Sequence, residues 1–240
     1  MVVVLPPDPA SVRAHAAEWG LFFDLARPRP DEDWQPVSQW YLRGGTDPLG
    51  ALLDAVHRTG GGERRVAASL LYQGFASRLW SPQLAWLLID GVVAPPDPDT
   101  LVWRRPVGQL FTLAAPPDAG RLTDPQSGIA TVIDTAFEQH LDPLSVALRD
   151  RVPVSAELLR GNASAALVSG LLLAHRAAGR SGSPPLLPVV LRHRRLRGTG
   201  VWTQRPPRFV RRSCCLYYRT PTGGTCGDCP LPRRITAPNR

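Results

Sequence analysis

Through most of the first 180 residues, apolar positions recur every three or four residues, the spacing of helices that bury one face. Val12, Trp19, Phe22, Phe23 and Ala26 follow that spacing and predict a helix over 9–26. Asp47-Pro48 supplies a cap and a first-turn proline for a helix over 47–62 that stops at glycines. Residues 63–80 read as a second amphipathic helix. Ser81-Pro82 reads as the start of a shorter one over 81–91, ending at Gly91. After "APPDPD", the β-forming runs "TLVWRR" and "GQLFTLA" (108–114) flank a Pro-containing turn and predict a short β-hairpin. Residues 127–151 are helical with an interruption at Pro143, and 155–180 read as one continuous helix. "SGSPPLLP" (181–188) is a linker, and no internal repeat is present. The pattern gives an α+β, mainly helical fold with a short β-hairpin. At 240 residues the chain fits one large domain, or one domain with a small appendage.

Charge redraws the last fifth of the chain. All 28 basic residues are Arg, and abundant Ala, Pro and Gly fit a GC-rich coding bias. From Arg192 onward there are twelve Arg against one acid, Asp228, whereas residues 1–191 hold sixteen Arg and nineteen acids. The expected division is therefore a mainly helical body, 1–200, and an Arg-rich segment, 201–240. A basic segment on a mildly acidic body bears on partners, not on fold. "MVVVLPPDPA" lacks a basic n-region, and no apolar run approaches a membrane span. The expected location is the cytoplasm, extending to the inner face of the membrane, with no transmembrane segment. Disulfides do not persist there, and clustered Cys point to metal binding or catalysis.

Most candidate chemistry falls away. "RTGGGERR" has no strand before it and no Lys-Ser/Thr after it, so it reads as a turn and not a phosphate loop. Neither a dinucleotide fingerprint nor a G-x-S-x-G elbow occurs. His15, His57, His140, His175 and His193 are scattered without metal spacing. What remains is "RRSCCLYYRTPTGGTCGDCPL", which places Cys214, Cys215, Cys226 and Cys229, all the thiols of the chain, in sixteen residues. Thiolates select zinc, copper(I) or iron–sulfur clusters. Cys226-Gly227-Asp228-Cys229 is a C-x-x-C turn, in which Gly is expected to let the backbone curl with free N–H groups facing the sulfurs. Cys214 and Cys215 have no spacer, so their side chains diverge. That suits a cluster better than a single-ion knuckle. Structural zinc, and buried or redox thiols, stay open on these grounds.

The spacing Cys-Cys, ten residues, Cys, two residues, Cys resembles the FhuF family of ferric-siderophore reductases. So do the preceding arginines, Tyr217-Tyr218, the glycines and the following Pro. "ASRLWSPQLA" (76–85) and "GNASAAL" (161–167) are similar to family segments, although Arg160 stands where the family pattern has Trp. The resemblance spans roughly 60–235 and implies a C-terminal iron–sulfur cluster-binding segment, with a [2Fe–2S] cluster on Cys214, Cys215, Cys226 and Cys229. It further implies one-electron reduction of a bound ferric siderophore in the cytoplasm.

Several residues gain candidate roles in that light. Two ferric ions, two sulfides and four thiolates carry a net negative charge. Arg211, Arg212, Arg219, Arg233 and Arg234 are placed to offset it and raise the potential. "RHRRLRG" (192–198), with Arg192, Arg194, Arg195 and Arg197, is a candidate dock for an acidic electron donor such as a ferredoxin. Trp202, Phe209, Tyr217 and Tyr218 are candidates to shield the cluster. Trp80, Trp86, Trp103 and the polar Asn162 are candidates for a siderophore pocket in the body. The alternatives are an Arg-rich nucleic-acid-binding regulator stabilised by zinc or a cluster, and a non-reductase [2Fe–2S] protein of siderophore metabolism. No helix-turn-helix or finger spacing supports the regulator, and no stable nucleic-acid partner is expected.

Overall fold

The computed structural model describes residues 8–20, 22–42, 45–60, 62–116 and 120–231. Helix α1, Pro9–Glu18, is capped by Asp8, whose carboxylate accepts from the Ser11 amide. It ends well short of residue 26. Gly20 takes φ +107°, which turns the chain so that Phe23 and Leu25 enter the core by another route. Helix α2, Pro48–Gly60, follows the expected pattern and buries Leu49, Leu52, Leu53 and Val56.

The helices expected over 63–80 and 81–91 are one helix, α3, running from Arg64 to Asp90 and closed by Gly91 in the left-handed conformation. Ser81 is not a cap. Its hydroxyl donates to the Ser77 carbonyl at 2.8 Å, and Pro82 lies buried inside the helix. Interior proline forfeits one backbone bond and ordinarily breaks a helix. Here Leu79, Trp80, Leu84 and Leu87 are all buried on both sides of the proline, and stopping the helix would expose them. At 1.5 Å per residue, α3 is about 40 Å long and forms the axis of the molecule.

Helix α6, Ala156–Ala177, is capped by Ser155 and packs along α3. Small residues set this approach: a Cβ on Gly170 would meet a methyl of Leu84 at 3.0 Å. Before it come α4, Pro125–Ala136, and α5, Asp142–Arg151. They are joined by a π-helical turn at Phe137–Leu141, so the expected interruption exists but falls just ahead of Pro143. That turn buries His140, whose Nδ1 faces the Tyr41 hydroxyl at 2.9 Å and whose Nε2 faces the Pro96 carbonyl at 2.8 Å. Helix α7, Leu187–Arg192, occupies the end of the segment read as a linker.

The sheets are small. The expected hairpin is β3, Val102–Arg104, with β4, Thr112–Ala114, and β1, Gln35–Pro36, adds an antiparallel edge to β3. Strand β2, Val92–Val93, pairs with β5, Arg121–Leu122. A further hairpin, unexpected from the sequence, joins β6, Gly200–Gln204, to β7, Pro207–Arg211, and delivers the chain to the cysteines. The base of that hairpin is fixed to α6, because Thr199 Oγ1 meets Ser164 Oγ at 2.8 Å and Phe209 joins the main hydrophobic core. Among the described residues, no helix is long and apolar enough to cross a membrane.

Candidate metal centre

Arg211, the last residue of β7, organises the cysteine segment. It is 1 % exposed, yet its guanidinium meets several polar groups. Nη1 donates to Asn162 Oδ1 at 2.7 Å, and Nη2 donates to Cys226 Sγ at 2.9 Å and Asp228 Oδ1 at 3.3 Å. Nε faces Asp228 Oδ2 at 2.8 Å as an ion pair, off the line of a good hydrogen bond. Burial opposes the cation, but the Asp228 carboxylate and the Cys215 and Cys226 sulfurs outweigh it, and the Arg211 pKa is raised. The Arg211 amide also donates to the Asp228 carbonyl at 3.0 Å, which clips the C-x-x-C turn onto the end of the strand.

Asn162 is the link from this segment to the body. It is fully buried, and its Nδ2 donates to the carbonyl and hydroxyl oxygens of Ser69 on α3, at 2.9 and 2.8 Å. The Ser69 hydroxyl donates in turn to the Cys215 carbonyl at 2.6 Å. Residues of α3, α6 and β7 thus form one bonded chain that grips the cysteine segment from two directions. The preceding Gly161 serves the same purpose, since a Cβ there would run into the Ser213 hydroxyl. The Gly-Asn pair of the sequence is therefore the seat of the cysteine segment, and Asn162 is not a pocket residue.

Local backbone geometry turns the thiols inward. Leu216 has φ +67°, the sole described non-glycine residue with positive φ. A left-handed leucine costs roughly 1–2 kcal/mol and persists where surrounding structure imposes it. The turn aims the Leu216 amide at Cys214 Sγ, 3.3 Å away, and the Tyr217 amide at Cys215. The C-x-x-C turn closes with the Cys229 amide donating to the Cys226 carbonyl at 3.2 Å. Gly227 does not supply the curl expected of it: its φ is not positive, and a Cβ there would meet nothing within 4 Å. The tight position is Gly223, where a Cβ would collide with the Tyr217 carbonyl.

Cys215 and Cys229 are buried, whereas Cys214 and Cys226 are partly exposed. The sulfurs of Cys215 and Cys226 stand 3.6 Å apart. The bond to Cys226 and then the charge of Arg211 hold Cys215 down at about 5, while the Cys226 thiol is pushed far up. Burial raises the Cys214 thiol, which also feels the charges of Cys215, Cys229 and Arg211. Two thiolates on one tetrahedral ion, with metal–sulfur bonds near 2.3 Å, sit about 3.8 Å apart, so the Cys215–Cys226 spacing matches a shared metal. Among the described residues, no three of His, Cys, Asp and Glu converge on a single ion. Paired soft ligands beside a buried cation fit a two-iron cluster better than a four-ligand zinc knuckle.

The other expected residues scatter. Arg212 is exposed, and Arg219 pairs with Glu63 and stacks on Tyr218. Arg233 and Arg234 lie outside the described residues. Arg194 and Arg195 face carboxylates of the body: Arg194 meets Asp134 at 2.7 Å, and Arg195 meets Asp142 at 2.8 Å and Glu138 at 3.3 Å. Among the described residues, Arg192 and Arg197 are not drawn into such pairs. Phe209 is core and Trp202 half-buried, but Tyr217 and Tyr218 are 38 % and 41 % exposed and so flank the cysteines without sealing them. Trp80 is fully buried and donates to the Ala163 carbonyl, and Trp103 packs edge-on against buried Trp40. Trp86 does line a cleft of about 360 Å³, together with Arg13, Leu25 and Pro96. Trp86 lies seventeen residues, about 25 Å of axial rise, along α3 from Ser69, the residue that holds the Cys215 backbone, so this cleft is at the other end of the helix from that contact.

A short thiol segment, wrapped on a buried arginine and seated on a helical body, defines the class: an α+β iron–sulfur protein with its cluster motif at the C-terminal end. Residues 211–231 match the FhuF 2Fe-2S C-terminal domain, so the motif is FhuF-like and indicates a [2Fe–2S] cluster. No curated protein matches the chain. The matched stretch begins at Arg211, the residue that anchors the segment, and ends two residues after Cys229.

Proposed function

We propose that this chain is a cytoplasmic ferric-siderophore reductase in which Cys214, Cys215, Cys226 and Cys229 hold the [2Fe–2S] cluster. The observation that carries the reading is the FhuF-like segment folded about Arg211, with the Cys215 and Cys226 sulfurs at 3.6 Å. The division in this reading is a body, 1–200, and a cluster-binding segment, 201–240, whose described part, up to residue 231, packs on the body. When bound, such a cluster takes up and passes on a single electron.

The substrate requires no more than that. Ferric iron in a siderophore is a hard cation held by oxygen donors. One electron makes it Fe(II), which the same donors hold far more weakly. The chain supplies the surroundings. Arg211 compensates negative charge at the sulfurs, and the Leu216 and Tyr217 amides face them. Tyr217 and Tyr218 present half-exposed aromatic surface beside the cysteines for the chelate. The electron comes from an external donor, an acidic carrier of the ferredoxin kind. Arg208 and Arg212, next to the site and without acidic partners among the described residues, are placed to meet it.

The test is anaerobic purification followed by iron and sulfide analysis, visible absorption and reduced-state EPR, then addition of ferric siderophores with an Fe(II) chelator present. Two irons and two sulfides per chain, with Fe(II) trapped from at least one siderophore class, is the expected result. Stoichiometric zinc without iron and sulfide rejects the cluster. A loaded cluster that reduces no siderophore rejects the reductase.

A further inference from the structure

The twelve arginines from Arg192 onward are not equivalent, and one is built into the site in a way its charge alone does not require. Arg211 has a side chain with no exposed surface, and its partners come from two separate parts of the chain: Asn162 on α6, and Cys226 and Asp228 in the C-x-x-C turn. A surface arginine would offset charge through water, where screening leaves little effect. Burial removes the water and makes the position of the cation matter. The fork is held by a carbonyl oxygen that is itself held: Asn162 cannot rotate without losing both bonds to Ser69. Ser69 in turn fixes the Cys215 backbone. One bonded chain therefore sets both the cation and the sulfurs it faces.

Resting on the proposed cluster, we infer that Arg211 sets its reduction potential, with Asn162 and Ser69 as positioning residues and Asp228 as a counterweight. Reduction of one iron from Fe(III) to Fe(II) would add one negative charge to the cluster as a whole, next to the Cys226 sulfur. A buried cation donating to Cys226 Sγ stabilises the reduced form and raises the potential. The Asp228 carboxylate, 2.8 Å from the same guanidinium, opposes it. The two groups act with opposite sign, which simple loosening of the site does not reproduce.

The experiment is a redox titration of the cluster-loaded full chain, read by EPR and visible absorption, with iron and sulfide content and melting temperature measured in parallel. R211Q is expected to lower the reduced-to-oxidised ratio at fixed potential at least tenfold, a shift of about 59 mV for one electron. D228N is expected to move the ratio in the opposite direction. R211K keeps the charge but has no planar fork to reach Asn162 and Cys226 together, and should fall between R211Q and parent. N162A should shift the ratio in the R211Q direction although the arginine remains. Equal potentials for parent, R211Q and D228N at equal cluster content overturn the inference and leave the cluster reading intact. Should R211Q fail to load, D228N and R211K decide: potentials equal to the parent's, or a D228N shift to lower potential, overturn it. A parent with no cluster overturns the underlying reading and this inference with it.

Discussion

Removing the Asn162 side chain tests whether the cysteine segment is held by the body through one coupled network. Asn162→Ala deletes two neutral bonds to Ser69 and one to the Arg211 guanidinium, all in a fully buried site. Neutral hydrogen bonds contribute about 1 kcal/mol each net, and one to a charged group about 1.5–3 kcal/mol. Some overlap is expected, because the two Ser69 contacts share one nitrogen. The loss should be about 3–4 kcal/mol, most of it from the arginine left short of a partner. The assay is urea unfolding of the loaded protein, followed by far-ultraviolet circular dichroism, in a double-mutant cycle with Arg211→Met. In the Arg211→Met background, Asn162→Ala should cost only about 1–2 kcal/mol, giving a coupling of about 2 kcal/mol. If the two substitutions add within about 0.5 kcal/mol, the Asn162–Arg211 bond is not holding the segment and the reasoning fails.

The buried His140 should make stability fall with acid. Burial depresses its pKa below the ordinary 6.5, so the unfolded chain binds the proton more readily, and stability present above pH 6.5 is lost as pH drops toward the folded value. His140→Asn should flatten that part of the unfolding-versus-pH curve, and an unchanged slope would contradict it. Tyr41→Phe, which removes the hydroxyl on His140, should cost about 1 kcal/mol by denaturant unfolding. Gly161→Val should push against Ser213 and cost about 1–3 kcal/mol, with reduced cluster retention on gel filtration, whereas an unaffected variant would mean that the close approach is unimportant. Arg208→Gln with Arg212→Gln should slow reduction by an acidic donor severalfold at low salt, and the gap should close near 1 M salt, where the Debye length is about 3 Å. Arg194→Gln with Arg195→Gln should leave that rate unchanged, because these side chains already face Asp134, Glu138 and Asp142; a slowed rate would restore them as the dock.

Helical period, caps and punctuation are local properties, and they are legible in the chain. Asp47-Pro48, Ser155 and Gly91 mark the ends expected of them, and the four thiols announce a soft-metal site by composition and spacing alone. Where expectation and structure part, the deciding force acts between residues distant in the chain. Pro82 looks like a helix start because its local effect is to break helices. Burial of Trp80, Leu84 and Leu87 against the body overrides it. The β6–β7 hairpin escapes a helix-first reading although "GVWTQRPPRFV" places β-branched and aromatic residues on both sides of a two-residue Arg205-Pro206 turn; that alternation is the signal that could have found it. Asn162 looks like a polar pocket residue because sequence shows only that an amide lies on a helix. Its bonds run to Ser69, 93 positions away, and to Arg211, 49 positions away. Arg211 cannot be told from its eleven companions after residue 191 for the same reason. Charge and composition identify a basic segment, but only the packing of β7 against α6 decides which arginine loses its water and meets a cysteine sulfur.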